Sequence, residues 1–205
     1  HSTLDRCGVD VEEGAVTQRL WILALLMLFG FGVVSTAYAA VAFDAAINAK
    51  CLGAGGGASP ICGTGVTTLT YSHTTGSGSD RALVVGVCVT GPSATVQPAT
   101  SGVTYAGVAL ISKKKQGGNY YCEYWSLPDG TQPATGANNV IVTLAAALGD
   151  SQANTISSAA LTFTGVHQTT ALTSTNNGSS GTGTSATLTL TASNSDGMGV
   201  DFVCN

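Results

Sequence analysis

The chain predicts an all-β fold, an antiparallel two-sheet β-sandwich, and three observations predict it. Short runs alternate between apolar and polar residues, as in Thr68-Leu69-Thr70-Tyr71-Ser72. Gly, Ser, Pro and Asn interrupt the chain every ten or so residues, and no stretch beyond Ala40 carries the period of an amphipathic helix. That combination marks a sandwich or barrel of many short strands. A jelly-roll-like arrangement is favoured. An immunoglobulin-like sandwich is the alternative, and the order of residues speaks against it, because Trp125 follows both Cys88 and Cys122 instead of lying between them.

Taken in order, Val41 to Ala49 reads as a first strand covering an edge, and the Gly-rich loop after it runs from Cys51 to Cys62. Val66 to Thr90 reads as a hairpin: an alternating strand, the turn Gly76-Ser77-Gly78-Ser79, and the almost unbroken apolar strand Ala82 to Val89. Val103 to Ile111 is a strand pair or a kinked strand, with Gly107 as its bend. Gln116-Gly117-Gly118-Asn119 is a hairpin turn, since Gly and Asn accept positive φ. It leads into Tyr120 to Leu127, the most aromatic strand. Val140 to Leu144 and Ile156 to Val166 follow. Residues 173–185 are a Gly/Ser/Thr/Asn loop or linker, after which Ala186 to Thr191 alternates and Gly199 to Cys204 opens a last strand.

An N-terminal hydrophobic helix is expected before all of this. Leu20 to Ala40 carries no charge, Arg19 precedes it, and Ala37-Tyr38-Ala39 presents small residues where a signal peptidase reads. These are the parts of a secretory signal peptide, with cleavage expected after Ala39. A retained membrane anchor is the rival, weakened by Gly30, Gly32, Ser35 and Thr36. The acidic Asp10, Glu12 and Glu13 fit poorly ahead of a signal peptide, and a start at Val16 would leave the short n-region Thr17-Gln18-Arg19. Residues 1–39 are thus read as precursor extension and signal peptide, and 40–205 as one sandwich domain.

Composition agrees with export. Charged residues are 9% of the chain and hydrophobic ones 44%, so the polar surface is left to Ser, Thr, Asn and Gly. Net charge is -4 without a basic stripe, which excludes an electrostatic footprint for nucleic acid. The run Lys113-Lys114-Lys115 reads as a solvated strand edge, where lysines discourage strand-to-strand association.

Four pieces appear in a familiar order: LTYSHTTGSGSDRALVVGV, VTYAGVAL, EYWSLPDGTQPATGANNVIVTL and LTFTGVHQTTAL. Over roughly Val66 to Cys204 they resemble a jelly-roll-like β-sandwich module of exported bacterial and phage surface proteins. The resemblance implies a binding or structural role, no catalytic residue, and a domain that continues past the end of this sequence.

Candidate chemistry is sparse. Five cysteines follow the signal segment, in a compartment that permits disulfides. Cys51 with Cys62 closes a short loop, while Cys88 and Cys122 lie within strands and compete with Cys204 for partners. No CxxC pair suggests zinc, and no metal or cofactor is expected. His73 stands at a strand end and His167 in a corner, both reading as hydrogen-bonding residues, since no Gly-x-Ser-x-Gly elbow accompanies them. Asp80, Asp129 and Asp150 read as turn formers. Glu123 has no second carboxylate placed near it, so glycoside hydrolysis is not expected. Alternation puts Tyr121, Glu123, Trp125 and Leu127 on one face and Tyr120, Cys122 and Tyr124 on the other, one set filling the core. Tyr120, Tyr124 and Trp125 are the candidates for stacking on a sugar ring.

The expectation is a non-catalytic, secreted or cell-surface structural or adhesion module. A carbohydrate-binding module attached to an enzyme is the alternative. The partners expected are surface glycans or neighbouring modules of the same chain, with no nucleic acid, and membrane only through the N-terminal segment if it stays uncleaved.

Overall fold

The computed structural model describes residues 40–52, 65–91, 97–116, 121–128, 130–149, 154–169, 198–200 and 202. The expected hydrophobic helix, Cys62, the Gln116–Asn119 turn beyond its first residue, and the Ala186–Thr191 strand lie outside them. Nine strands are described: β1 (Ala42–Leu52), β2 (Thr68–Thr75), β3 (Ala82–Thr90), β4 (Thr100–Tyr105), β5 (Val108–Ala109), β6 (Ile111–Gln116), β7 (Tyr121–Ser126), β8 (Gly136–Leu144) and β9 (Thr155–Thr164). They form a five-stranded sheet, β1-β9-β3-β7-β6, and a four-stranded sheet, β2-β8-β4-β5. Every pairing is antiparallel. The two sheets pack face to face, as the sequence predicts.

The two sheets differ in how they treat their outer faces, and the difference is written in the residues. In β2 the odd-numbered Leu69, His73 and Thr75 are buried, while Thr68, Thr70, Ser72 and Thr74 are exposed. β8 alternates likewise, burying Val140, Val142 and Leu144. The four-stranded sheet therefore turns one face to solvent. In β3 every residue from Ala82 to Val89 is buried. Leu83, Val85, Val87 and Val89 enter the main core between the sheets, together with Val103, Tyr105, Trp125 and Ile156. Ala82 and Val84 point the other way, into a second cluster with Phe163 and Val166, packed by Tyr124, Leu161, Val200 and Phe202.

This asymmetry corrects the hairpin reading of Val66–Thr90. β2 and β3 lie in different sheets, and the Gly76–Arg81 connection carries the chain across the sandwich. β2 instead pairs with β8, whose burial alternates in the same way, while β3 pairs with β7 and β9. The last expected strand is corrected too. Gly199, Val200 and Phe202 are not in a strand, and the last two pack on the outer face of the five-stranded sheet.

Other expectations match. β1 is an edge strand and so is β6, which carries Lys113-Lys114-Lys115, with a register irregularity between Ser112 and Lys114. The bend at Gly107 is a tight β4–β5 turn, where Tyr105 pairs with Val108 and both Ala106 (φ 51°) and Gly107 (φ 81°) take positive φ. A two-residue hairpin turn of this hand matches strand twist but requires positive φ at both central residues, which alanine adopts at a cost. Ala106→Asn should therefore raise stability by about 0.5–1 kcal/mol. Urea denaturation would check it, and a lower midpoint for the variant would contradict the turn assignment.

Candidate functional site

The interior of the sandwich holds polar side chains, and they form directional hydrogen-bond chains between strands. Thr162 on β9 is fully buried and its hydroxyl donates to Asp44 Oδ2 at 2.9 Å. His73 Nε2 lies 3.3 Å from the same hydroxyl oxygen. A threonine hydroxyl has one proton, and this one is given to Asp44, so His73 must donate through Nε2–H. Asp44 Oδ2 also accepts the Gly76 backbone N–H at 2.9 Å. Three elements meet here: edge strand β1, its neighbour β9, and the exit of β2 from the opposite sheet.

Two further chains follow the same logic. Ser158 Oγ donates to the Gly86 carbonyl at 2.9 Å, so Tyr71 OH, 2.8 Å away, donates to Ser158. Burial pushes the Tyr71 phenol up to about 12, with its bond to Ser158 opposing that rise. Tyr105 OH donates to the Ala134 carbonyl at 3.1 Å, so Thr75, at 2.9 Å, donates to Tyr105. The Tyr105 ring meets His73 edge-on at 6.0 Å. Buried polar groups of this kind stabilise a fold only when satisfied, since an orphaned one costs about 1–3 kcal/mol. Tyr71–Ser158 and His73–Thr162 both join β2 to β9, one from each sheet.

On β7, alternation is observed as expected. Glu123 and Trp125 are buried and Tyr121 packs against the main core, while Tyr124 is half-buried on the outer face. Glu123 accepts the Trp125 indole N–H at 3.1 Å and pairs with Lys115 Nζ at 3.1 Å. Lys115 also sits 4.5 Å from the centre of the Tyr121 ring. The carboxylate is 2% exposed and the ammonium 45%, so Lys115 reaches in from the sheet edge to neutralise a buried charge. This makes Glu123 a bracing residue whose oxygens are already occupied.

The other sequence candidates are dispersed. Trp125 is a core residue, Tyr124 lies on the outer face, and Tyr120 is outside the described residues, so Trp125 and Tyr124 do not form one stacking platform. Cys88 and Cys122 stand directly opposite each other on β3 and β7. Cys51 is buried at the far end of β1. His167 is exposed, with Nδ1 2.9 Å from Thr169 Oγ1. Arg81 holds a corner: Nε and Nη2 both donate to the Pro133 carbonyl, at 3.2 and 3.1 Å, and Nη1 donates to Gly78 O at 2.6 Å. Gln168 Nε2 donates to the carbonyls of Arg81 and Val166, and Val166 N–H to that of Asp80, making Asp80 a turn residue as expected. Beside this corner Ser126, whose buried hydroxyl has no partner among the described residues, lines a recess with Arg81, Leu127 and Gln168.

Sequence reasoning missed Asp44 and Phe202. Asp44 had a signal, being the lone charge in the otherwise uncharged run from Val41 to Ala49. Phe202 is signalled only indirectly, by Gly86 in the middle of an apolar strand. A Cβ at Gly86 would collide with the Phe202 ring. No protein-family model, curated protein or solved structure matches the chain.

His73 gives the site a pH dependence of definite sign. Burial lowers its pKa below the ordinary 6.5, and Asp44 only partly offsets that. The unfolded chain therefore binds a proton that the folded chain refuses. The stability from His73 is complete above about pH 6.5 and is lost as pH falls toward the depressed folded value. Urea midpoints measured from pH 7.5 to 5 should fall with acid for the wild type. His73→Gln should flatten that fall, and an equal slope in both proteins would exclude His73 as its source.

Proposed function

We propose that the chain is a non-catalytic structural or adhesion module of an exported or cell-surface protein, with a jelly-roll sandwich as its body. The single observation that supports this best is the use made of its reactive groups. Asp44, His73, Glu123, Lys115, Tyr71 and Tyr105 are each committed to bracing one strand or connection against another. Such an interior resists opening and keeps His73 and Glu123 away from solvent. Strand pairing supports the jelly roll: β1 pairs with β9, β2 with β8 and β3 with β7, a double ribbon whose strands alternate between the two sheets. The immunoglobulin-like alternative does not pair its strands this way.

A cross-strand Cys88–Cys122 disulfide belongs to the same proposal, supported by their direct opposition in the β3–β7 register. Cys51–Cys62 would close the Gly-rich loop. Both suit an oxidising compartment. Expression of the full chain followed by unreduced peptide mapping tests export and pairing together. The exported protein should begin at Ala40 and yield a linked Cys88–Cys122 peptide. A chain retained in the cytoplasm with its first 39 residues attached would overturn the reading.

Binding of glycans through the outer face is the competing reading. A glycan array probed with wild type and Tyr124→Ala should retain no sugar with either protein. A glycan held by the wild type and lost by Tyr124→Ala would move the assignment to a carbohydrate-binding module.

A further inference from the structure

The outer face of the five-stranded sheet has features of a receptor for a peptide segment. Gly86, at the middle of β3, pairs with Tyr124 on one side and Ala159 on the other, which leaves a notch in an otherwise apolar surface. Phe202 fills that notch. Its ring stands where a Gly86 Cβ would project and meets the Tyr124 ring edge-on at 5.2 Å. Its backbone N–H donates to Tyr124 OH at 3.2 Å, so the contact fixes the main chain as well as the ring. Val200 adds to the cluster of Ala82, Val84, Leu161 and Phe163. The apolar face runs on past the segment, with Phe43 56% exposed on β1 and Ile111 47% exposed on β6.

We propose that this face is a docking surface for the Val200–Phe202 segment and that a second copy of the chain can supply it by segment exchange. Two facts favour that occupant. The segment already seated there belongs to the chain itself, so every copy carries both socket and ligand. Residues 170–197, which join it to the end of β9, are mostly Gly, Ser, Thr and Asn. The length of that stretch sets an upper limit of roughly 90 Å on the distance it can span, at about 3.4 Å per residue. The same segment can therefore sit on its own sheet or a neighbour's, with protein concentration setting the balance. The proposal is independent of export and of any adhesive role.

The test uses the full chain and a labelled peptide of residues 196–205 bearing Cys204→Ser, followed by fluorescence anisotropy. Phe202→Ala in the full chain empties the notch, and this variant should bind the peptide at least ten-fold more tightly than wild type. The peptide carrying Phe202→Ala should not bind. The double variant Gly86→Ala/Phe202→Ala has room for its new Cβ, so it should keep the urea midpoint of the single variant yet fail to bind. Equal binding by wild type and Phe202→Ala, or by the single and double variants, overturns the proposal. A second measurement needs no variant. Light scattering of concentrated wild-type chain should show dimers that excess peptide returns to monomers, and a monomer mass at all concentrations overturns exchange.

Discussion

The constraint on which the rest of this structure depends is the burial of β3 on both of its faces. A strand whose side chains are apolar in both directions needs a neighbour on each edge and a cover above and below. β7 and β9 supply the edges, and the four-stranded sheet supplies one cover. The outer cover comes from Val200, Phe202 and Tyr124 together with the outward residues of β9. An ordinary sandwich would leave that outer face wet. Here the sequence ALVVGVCV needs cover on the outer face as well, and Val200 and Phe202 supply part of it.

Polar ties then orient the two sheets, which hydrophobic packing alone would leave free to slide. Apolar burial is non-directional, whereas Tyr71–Ser158 and His73–Thr162 specify which residue of β2 faces which residue of β9. The proton order in each chain is set by its terminal acceptor: the Gly86 carbonyl in one, Asp44 in the other. Gly86 thus serves both sides of its sheet. Its carbonyl takes the Ser158 hydroxyl that Tyr71 reaches from the opposite sheet, and its missing side chain admits Phe202 on the outside. A replacement at 86 would disturb the outer layer first, because the carbonyl bond survives any side chain.

How legible this was in the sequence follows from what each pattern encodes. Alternation reports a face toward water and marks Thr68–Ser72 as a strand, while burial in the structure shows that Leu69, His73 and Val140 face inward. The unbroken run in β3 reports two buried faces, but a run cannot say which strand lies beside it. The Gly76–Ser79 turn therefore looked like a hairpin when it is a crossing between layers. In β7, alternation separated Trp125 from Tyr124 correctly, and it is this separation that removes Trp125 from any surface platform. The Asp44–Thr162–His73 chain joins residues 118 and 89 positions apart. No local pattern carries a contact of that span, and only the lone charge in the run from Val41 to Ala49 hinted that something must receive it.

Two polar side chains, Arg81 and Gln168, hold one corner of the sandwich. Arg81, just before β3, clamps the Pro133 and Gly78 carbonyls, and Gln168, in the corner after β9, returns to the carbonyl of Arg81 itself. These side chains hold loops to loops at one end of the sandwich, where backbone carbonyls have no ladder partner and need a donor. Arginine suits the place because its planar fork can put Nε–H and Nη2–H on one oxygen while Nη1–H serves another. Side chains used in this way specify a scaffold and are silent about any ligand. The outer face of the five-stranded sheet is organised by other residues. Its occupant depends on Gly86, Tyr124 and Phe202, none of which takes part in the corner.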